Sequence, residues 1–80
     1  MPRDLPENDD TWMRARQRAI GARVRAERRR QNLSQEAVFL AAGIDRRTLQ
    51  LLEAGDGNPT IATLLRVAYV LEVDLADLMG

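Results

Sequence analysis

The spacing between Ser34 and Gly55 constrains this chain more than any other feature. Ser34 can cap a helix with its hydroxyl, and the eight residues Gln35–Ala42 favour helix. Gly43 then supplies the left-handed backbone at which helices stop. Asp45 caps a second run, Arg46–Ala54, which ends in the same way at Gly55. Helices this short have to brace each other across a tight turn. Leu49 and Leu52 face back into the angle between them, Val38 meets them from the other helix, and Ile44 follows the turn glycine. Arg46, Arg47, Gln50 and Leu51 lie between those anchors and so point outward.

The rest of the chain is helical as well. From residue 11 onward Ala, Leu, Arg, Gln and Glu dominate, and no alternating strand pattern occurs. A first helix starts at Asp10 or Thr11, either able to cap, and runs to about Gln31, with Met13, Ile20, Val24 and Gln31 on one stripe. Gly21 weakens its middle, which would put the start of firm order near Arg18. After the turn-rich run Asp56-Gly57-Asn58-Pro59, Thr60 caps a fourth helix, with Ile61, Leu64, Leu65, Ala68 and Leu71 at three-and-four spacing. Asp74 opens a short fifth helix carrying Leu75, Leu78 and Met79. The expected class is all-α, five helices in one domain over residues 11–80. An acidic, disordered tail is expected at residues 1–10, which hold Pro2 and Pro6 and few apolar groups.

Size and composition exclude several functions. A chain of eighty residues buries only about 60% of its unfolded surface, too little to wall a large catalytic cleft. It has no Cys and no His, and hence neither thiolate zinc ligands nor the usual general base of neutral pH. With no clustered carboxylates either, no enzyme, metal, cofactor or small-molecule ligand is expected. No apolar run approaches the ~18 residues of a membrane span. The N-terminus lacks the basic-then-apolar order of a signal peptide, so the expected location is the cytoplasm.

Net charge is zero, from 12 basic and 12 acidic residues, which on its face argues against a nucleic-acid partner. The zero hides a separation. Residues 1–10 set Arg3 against Asp4, Glu7, Asp9 and Asp10, a net −3. Residues 11–31 set eight arginines against Glu27, a net +7, and residues 32–80 carry the remaining −4. Every basic residue is Arg, and this usage with abundant Ala suits a GC-rich bacterial or phage genome.

A helix, a glycine turn and a second helix braced on the first make the helix-turn-helix motif, in which the second helix is propped to enter a major groove. The surrounding residues agree. Ile20-Gly21, Val24-Arg25, Arg28, Leu33-Ser34-Gln35-Glu36, Gly43-Ile44, Thr48-Leu49, Glu53-Ala54-Gly55, Asn58-Pro59, Thr63-Leu64-Leu65, Ala68, Leu71, Val73, Leu75 and Leu78 together resemble the Cro and phage-repressor helix-turn-helix family. The lambda repressor belongs to that five-helix family. The resemblance covers about residues 18–79.

The resemblance implies a DNA-reading third helix, with Arg46, Arg47, Thr48, Gln50 and Leu51 in the reading slots. Arg can donate two hydrogen bonds to guanine, Gln50 can address adenine or a phosphate, and the Leu51 side chain and the Thr48 methyl can touch a thymine methyl. Gln35 matches a residue that contacts phosphate and braces the third helix, and Asn58 is a further phosphate candidate. Arg28 and Glu53 match an ion pair that joins the first helix to the third. Arg23, Arg25 and Arg29 are further possible backbone contacts with no assigned role.

Some positions depart from the family pattern. Phe39 occupies a slot that is usually small, and Ala42 one that often holds a larger aliphatic. Leu40 and Leu51 stand where polar residues are commoner, Tyr69 falls on an outer face, and Asp45 and Asp56 flank the reading helix. Two functions from different classes remain open. One is a sequence-specific regulator of transcription, a repressor by preference, that binds double-stranded DNA as a homodimer. The other is a protein-interaction module on the same fold that modulates a DNA-binding partner.

Overall fold

The computed structural model describes residues 1–6 and 10–80. The acidic tail expected at residues 1–10 falls partly on residues 7–9, which lie outside the described residues. Five helices follow: α1 (Thr11–Arg30), α2 (Gln35–Ala42), α3 (Arg46–Ala54), α4 (Ile61–Leu71) and α5 (Leu75–Met79). There is no strand among the described residues. The Ser34 hydroxyl accepts from the Ala37 N–H at 2.9 Å, and Gly43 (φ 68°) closes α2 in the left-handed conformation. Thr60 caps α4 through the Thr63 N–H at 3.1 Å. Here Glu72, not a glycine, takes the left-handed position at the end of the helix (φ 58°).

The core gathers Val24 from α1, Val38, Phe39 and Ala42 from α2, Leu49 and Leu52 from α3, Leu64, Val67, Ala68 and Leu71 from α4, and Leu78 from α5. It departs from the sequence pattern at three places. Met13 is exposed, because the first turns of α1 extend beyond the packed part of the chain. On α4 the buried face is Leu64, Val67, Ala68 and Leu71, whereas Ile61 and Leu65 point outward. Gly21 is no weak point in α1, which runs unbroken from Thr11. It is buried at the crossing with α3, where a Cβ would lie 2.2 Å from the Leu52 carbonyl oxygen. The ends of α1 and α4 are tied together by Gln31, whose side-chain amide donates to the Leu71 carbonyl at 2.7 Å.

Candidate nucleic-acid interface

The first turn of α3 is built from its cap. Asp45 Oδ1 accepts the Thr48 N–H at 2.6 Å. Hydrogen bonds from the Thr48 side chain and backbone hold this carboxyl below its ordinary range. Thr48 is therefore half-buried and engaged with its own cap. Leu49, Leu52 and Glu53 form the buried face of α3, leaving Arg46, Arg47 and Gln50 exposed on the other. Leu51 corrects the sequence reading. It is half-buried rather than outward, seated against Gly57 and the loop at residues 56–59. Asn58 is exposed in that loop, whose Gly57 carbonyl accepts from the Gln17 amide of α1 at 3.4 Å.

The two arginines differ in surroundings. The Arg46 guanidinium stands 5.4 Å above the centre of the Phe39 ring, and its Nη2 lies 3.6 Å from Glu36 Oε2. Gln35, Glu36, Phe39, Arg46 and Gln50 line a shallow groove between α2 and α3. Arg47 has no ion-pair partner within 4 Å among the described residues.

Behind this surface, Glu53 is the point where α1, α2 and α3 meet. Arg28 donates to it through Nε (2.7 Å) and Nη2 (2.9 Å) and spends Nη1 on the Leu33 carbonyl (2.8 Å). The Gln35 amide donates to Glu53 Oε1 at 3.2 Å, and Arg25 Nε lies 3.6 Å from the same oxygen. Burial pushes the Glu53 carboxyl up, but the hydrogen bonds from Arg28 and Gln35 outweigh that and leave it below its ordinary value. Gln35 is thus oriented from behind at the start of α2.

Sequence reasoning left Arg23, Arg25 and Arg29 undivided, and the fold separates them. Arg25 reaches Glu53 near the start of α2. Arg23 instead lies against Gly80 beside α5, with Nη1 buried and without a hydrogen-bond partner. Arg29 is exposed. The spacing of Arg25 and Arg28, three apart on one helix face, was the available signal that both would meet the same acid. The contact between Arg46 and Phe39 had no signal beyond the unusual size of Phe39. Among the described residues no group of acidic side chains is arranged to hold a metal ion, and no helix is long and apolar enough to cross a membrane.

Comparison with known proteins agrees with this geometry. A family model described as helix-turn-helix matches residues 24–78. An uncharacterized HTH-type transcriptional regulator, y4dJ, from Sinorhizobium fredii is 35% identical over 60 residues, which cover 75% of this chain and 78% of the relative. Among solved structures, the restriction-modification controller protein C.AhdI from Aeromonas hydrophila superposes with a TM-score of 0.77 at 30% identity, covering 80% of this chain and 97% of that one. The hypothetical transcription factor NHTF from Neisseria superposes with a TM-score of 0.74 at 25% identity, covering 100% of this chain and 86% of that one.

Proposed function

The chain belongs to the Cro and phage-repressor helix-turn-helix family, a family of DNA-binding transcriptional regulators rather than enzymes, and from that premise we propose that it is a sequence-specific repressor which binds double-stranded DNA as a homodimer, with α3 in the major groove. The observation that carries this reading is the two-sided character of α3. Its inner face is fixed by Leu49, Leu52 and Glu53, and its outer face presents Arg46, Arg47 and Gln50. A rigid helix with an exposed arginine face suits groove reading, since fixed geometry is what converts arginine hydrogen bonds into discrimination between bases.

In this reading Arg46, Arg47 and Gln50 address base edges. Thr48 and Leu51, both half-buried, touch the groove at its margin. Gln35 and Asn58 contact phosphates on either side, helped by the free N–H groups at the start of α2. Arg28 and Glu53 support the reading helix from behind without touching DNA. The dimer forms through the outer faces of α4 and α5, and on α4 Ile61, Leu65 and Tyr69 make an exposed apolar stripe. It sets two α3 helices about one DNA turn, roughly 34 Å, apart. Such a protein would work in the cytoplasm of a bacterium or of a phage-infected cell.

The same exposed apolar groups, with Leu40 at 67% exposure and Tyr69 at 85%, favour the second reading, an interaction module for another protein. Selection of binding sites from random duplex DNA with the purified chain separates the two. A palindromic consensus, lost with Arg46→Ala or Arg47→Ala, supports the regulator. Absence of any enrichment refutes it in favour of the interaction module.

A further inference from the structure

Phe39 is the residue whose presence the core does not by itself explain. It sits at the edge of the hydrophobic cluster with 9% of its surface exposed, and the Arg46 guanidinium lies over its ring at 5.4 Å. On its other flank Arg46 meets Glu36 at 3.6 Å, and both side chains of that pair are about two-thirds exposed. All three line the groove between α2 and α3. We infer that Phe39 is a positioning residue for DNA reading, and that its ring, with the Glu36 carboxylate, presets Arg46 to read one G·C base pair in each half-site. The inference rests on the reading of α3 as the DNA-contacting helix.

Two physical points carry it. A free arginine has many rotamers, and binding DNA must freeze them. A ring beneath the guanidinium and a carboxylate beside it restrict those rotamers before DNA arrives. With Glu36 beside Nη2 and the side chain about two-thirds exposed, part of the N–H edge of the guanidinium stays open to the groove. That edge matches the paired acceptors O6 and N7 of guanine. The complementary cytosine offers an N4 donor in the same groove, and Glu36, next to Arg46, supplies the acceptor that cytosine lacks. A T·A or A·T pair offers no base with two adjacent acceptors, so it takes only one hydrogen bond from the arginine fork. Arg47 lacks this support, since among the described residues no carboxylate lies within 4 Å of it and the ring contact belongs to Arg46.

The test compares the full chain with Phe39→Leu and Phe39→Tyr in selection from random duplex DNA, alongside thermal melting. The parent should select one G·C pair per half-site that Arg46→Ala abolishes. Phe39→Leu keeps the bulk but removes the ring, and should lower the preference at that same position by about two- to fivefold while other positions hold. Phe39→Tyr, which keeps the ring face, should restore it. Equal loss at every position, or loss at a position that Arg46→Ala does not affect, would overturn the inference while leaving the DNA-reading role of α3 intact. A parent that selects no sequence at all would overturn both. Proton NMR of the unsubstituted free protein provides a check that needs no variant. Ring current from Phe39 should shift the Arg46 Hδ protons upfield of those of Arg47, and coincident shifts would overturn the inference.

Discussion

Arg28 and Glu53 join α1 to α3 through two hydrogen bonds, Nε to Oε2 at 2.7 Å and Nη2 to Oε1 at 2.9 Å, with the Glu53 side chain wholly out of solvent. Placing two charges there gives little net stability, but leaving one without the other is costly. Arg28→Ala or Glu53→Ala should each lower unfolding free energy by about 3–5 kcal/mol in urea titration. Arg28→Met combined with Glu53→Leu should recover most of that loss. A single variant within about 1 kcal/mol of the parent would show that water reaches the pair and screens it.

The same carboxylate sets an acid limit. Glu53 titrates below its ordinary value of 4.5 in the folded chain, since the bonds from Arg28 and Gln35 outweigh burial. A depressed carboxyl contributes stability that is complete above the unfolded value and is lost as pH falls through the folded one. Melting temperature should therefore hold from neutral pH to about 4.5 and fall below it. Glu53→Gln should start lower and flatten that fall. Glu27, lowered to about 2 chiefly by hydrogen bonds from Arg30 and then Gln31, should add only a weak, salt-sensitive component, visible as a small change in Glu27→Gln.

Gly21→Ala reverses the usual sign of a helix substitution. In an open helix this change gains roughly 0.5–1 kcal/mol. Here the new methyl would fall 2.2 Å from the Leu52 carbonyl oxygen and 2.9 Å from that of Glu53, both backbone atoms that cannot swing aside. A loss of about 1–3 kcal/mol is expected instead. A gain in melting temperature would mean that α1 and α3 separate easily at this crossing.

Local signals and long-range ones were legible to different degrees. Caps and stops are carried by single residues next to the helix they bound, and so Ser34, Gly43, Asp45, Gly55 and Thr60 placed α2, α3 and the start of α4 correctly. The role of Gly21 depends on a helix some thirty residues away, and helix propensity alone pointed the other way. On α4 a three-and-four pattern fits two overlapping stripes. Only packing against α2, α5 and α1 decides that Val67 turns inward while Ile61 and Leu65 turn out. Leu51 was placed outward by periodicity, which takes no account of the loop that folds back onto it at Gly57. The Arg46 contacts with Phe39 and Glu36 were hidden for a similar reason, because they follow from the angle between α2 and α3.

The charge separation along the sequence yields a prediction about the N-terminal segment. Residues 1–10 sum to −3 and precede the exposed arginines Arg14, Arg16 and Arg18 of α1. If the acids compete with phosphate for those arginines, deleting residues 1–10 should tighten DNA binding severalfold at low salt, with the curves of the two forms converging as salt screens the contest. The deletion removes one backbone bond at the start of α1, from the Arg14 N–H to the Asp10 carbonyl at 3.0 Å, but no side-chain cap, since Asp10 makes none. Unchanged affinity at every salt concentration would leave the segment as a solubilising tail.

Dimerisation through α4 is testable because its outward stripe lies apart from the core. Ile61, Leu65 and Tyr69 recur every four residues, 60%, 50% and 85% exposed, while Leu64, Val67, Ala68 and Leu71 fill the inner face. A charge at Leu65 should therefore leave the monomer folded. At the centre of an apolar interface it should cost about 2 kcal/mol or more, or roughly a 30-fold weaker dimer. Leu65→Glu should sediment as a monomer at concentrations where the parent is dimeric, with an unchanged circular dichroism spectrum. It should also bind an isolated half-site as well as the parent does, yet lose its advantage on a palindrome, since two α3 helices must be held one turn apart to bind together. A variant that stays dimeric and keeps that advantage would move the interface off this face of α4.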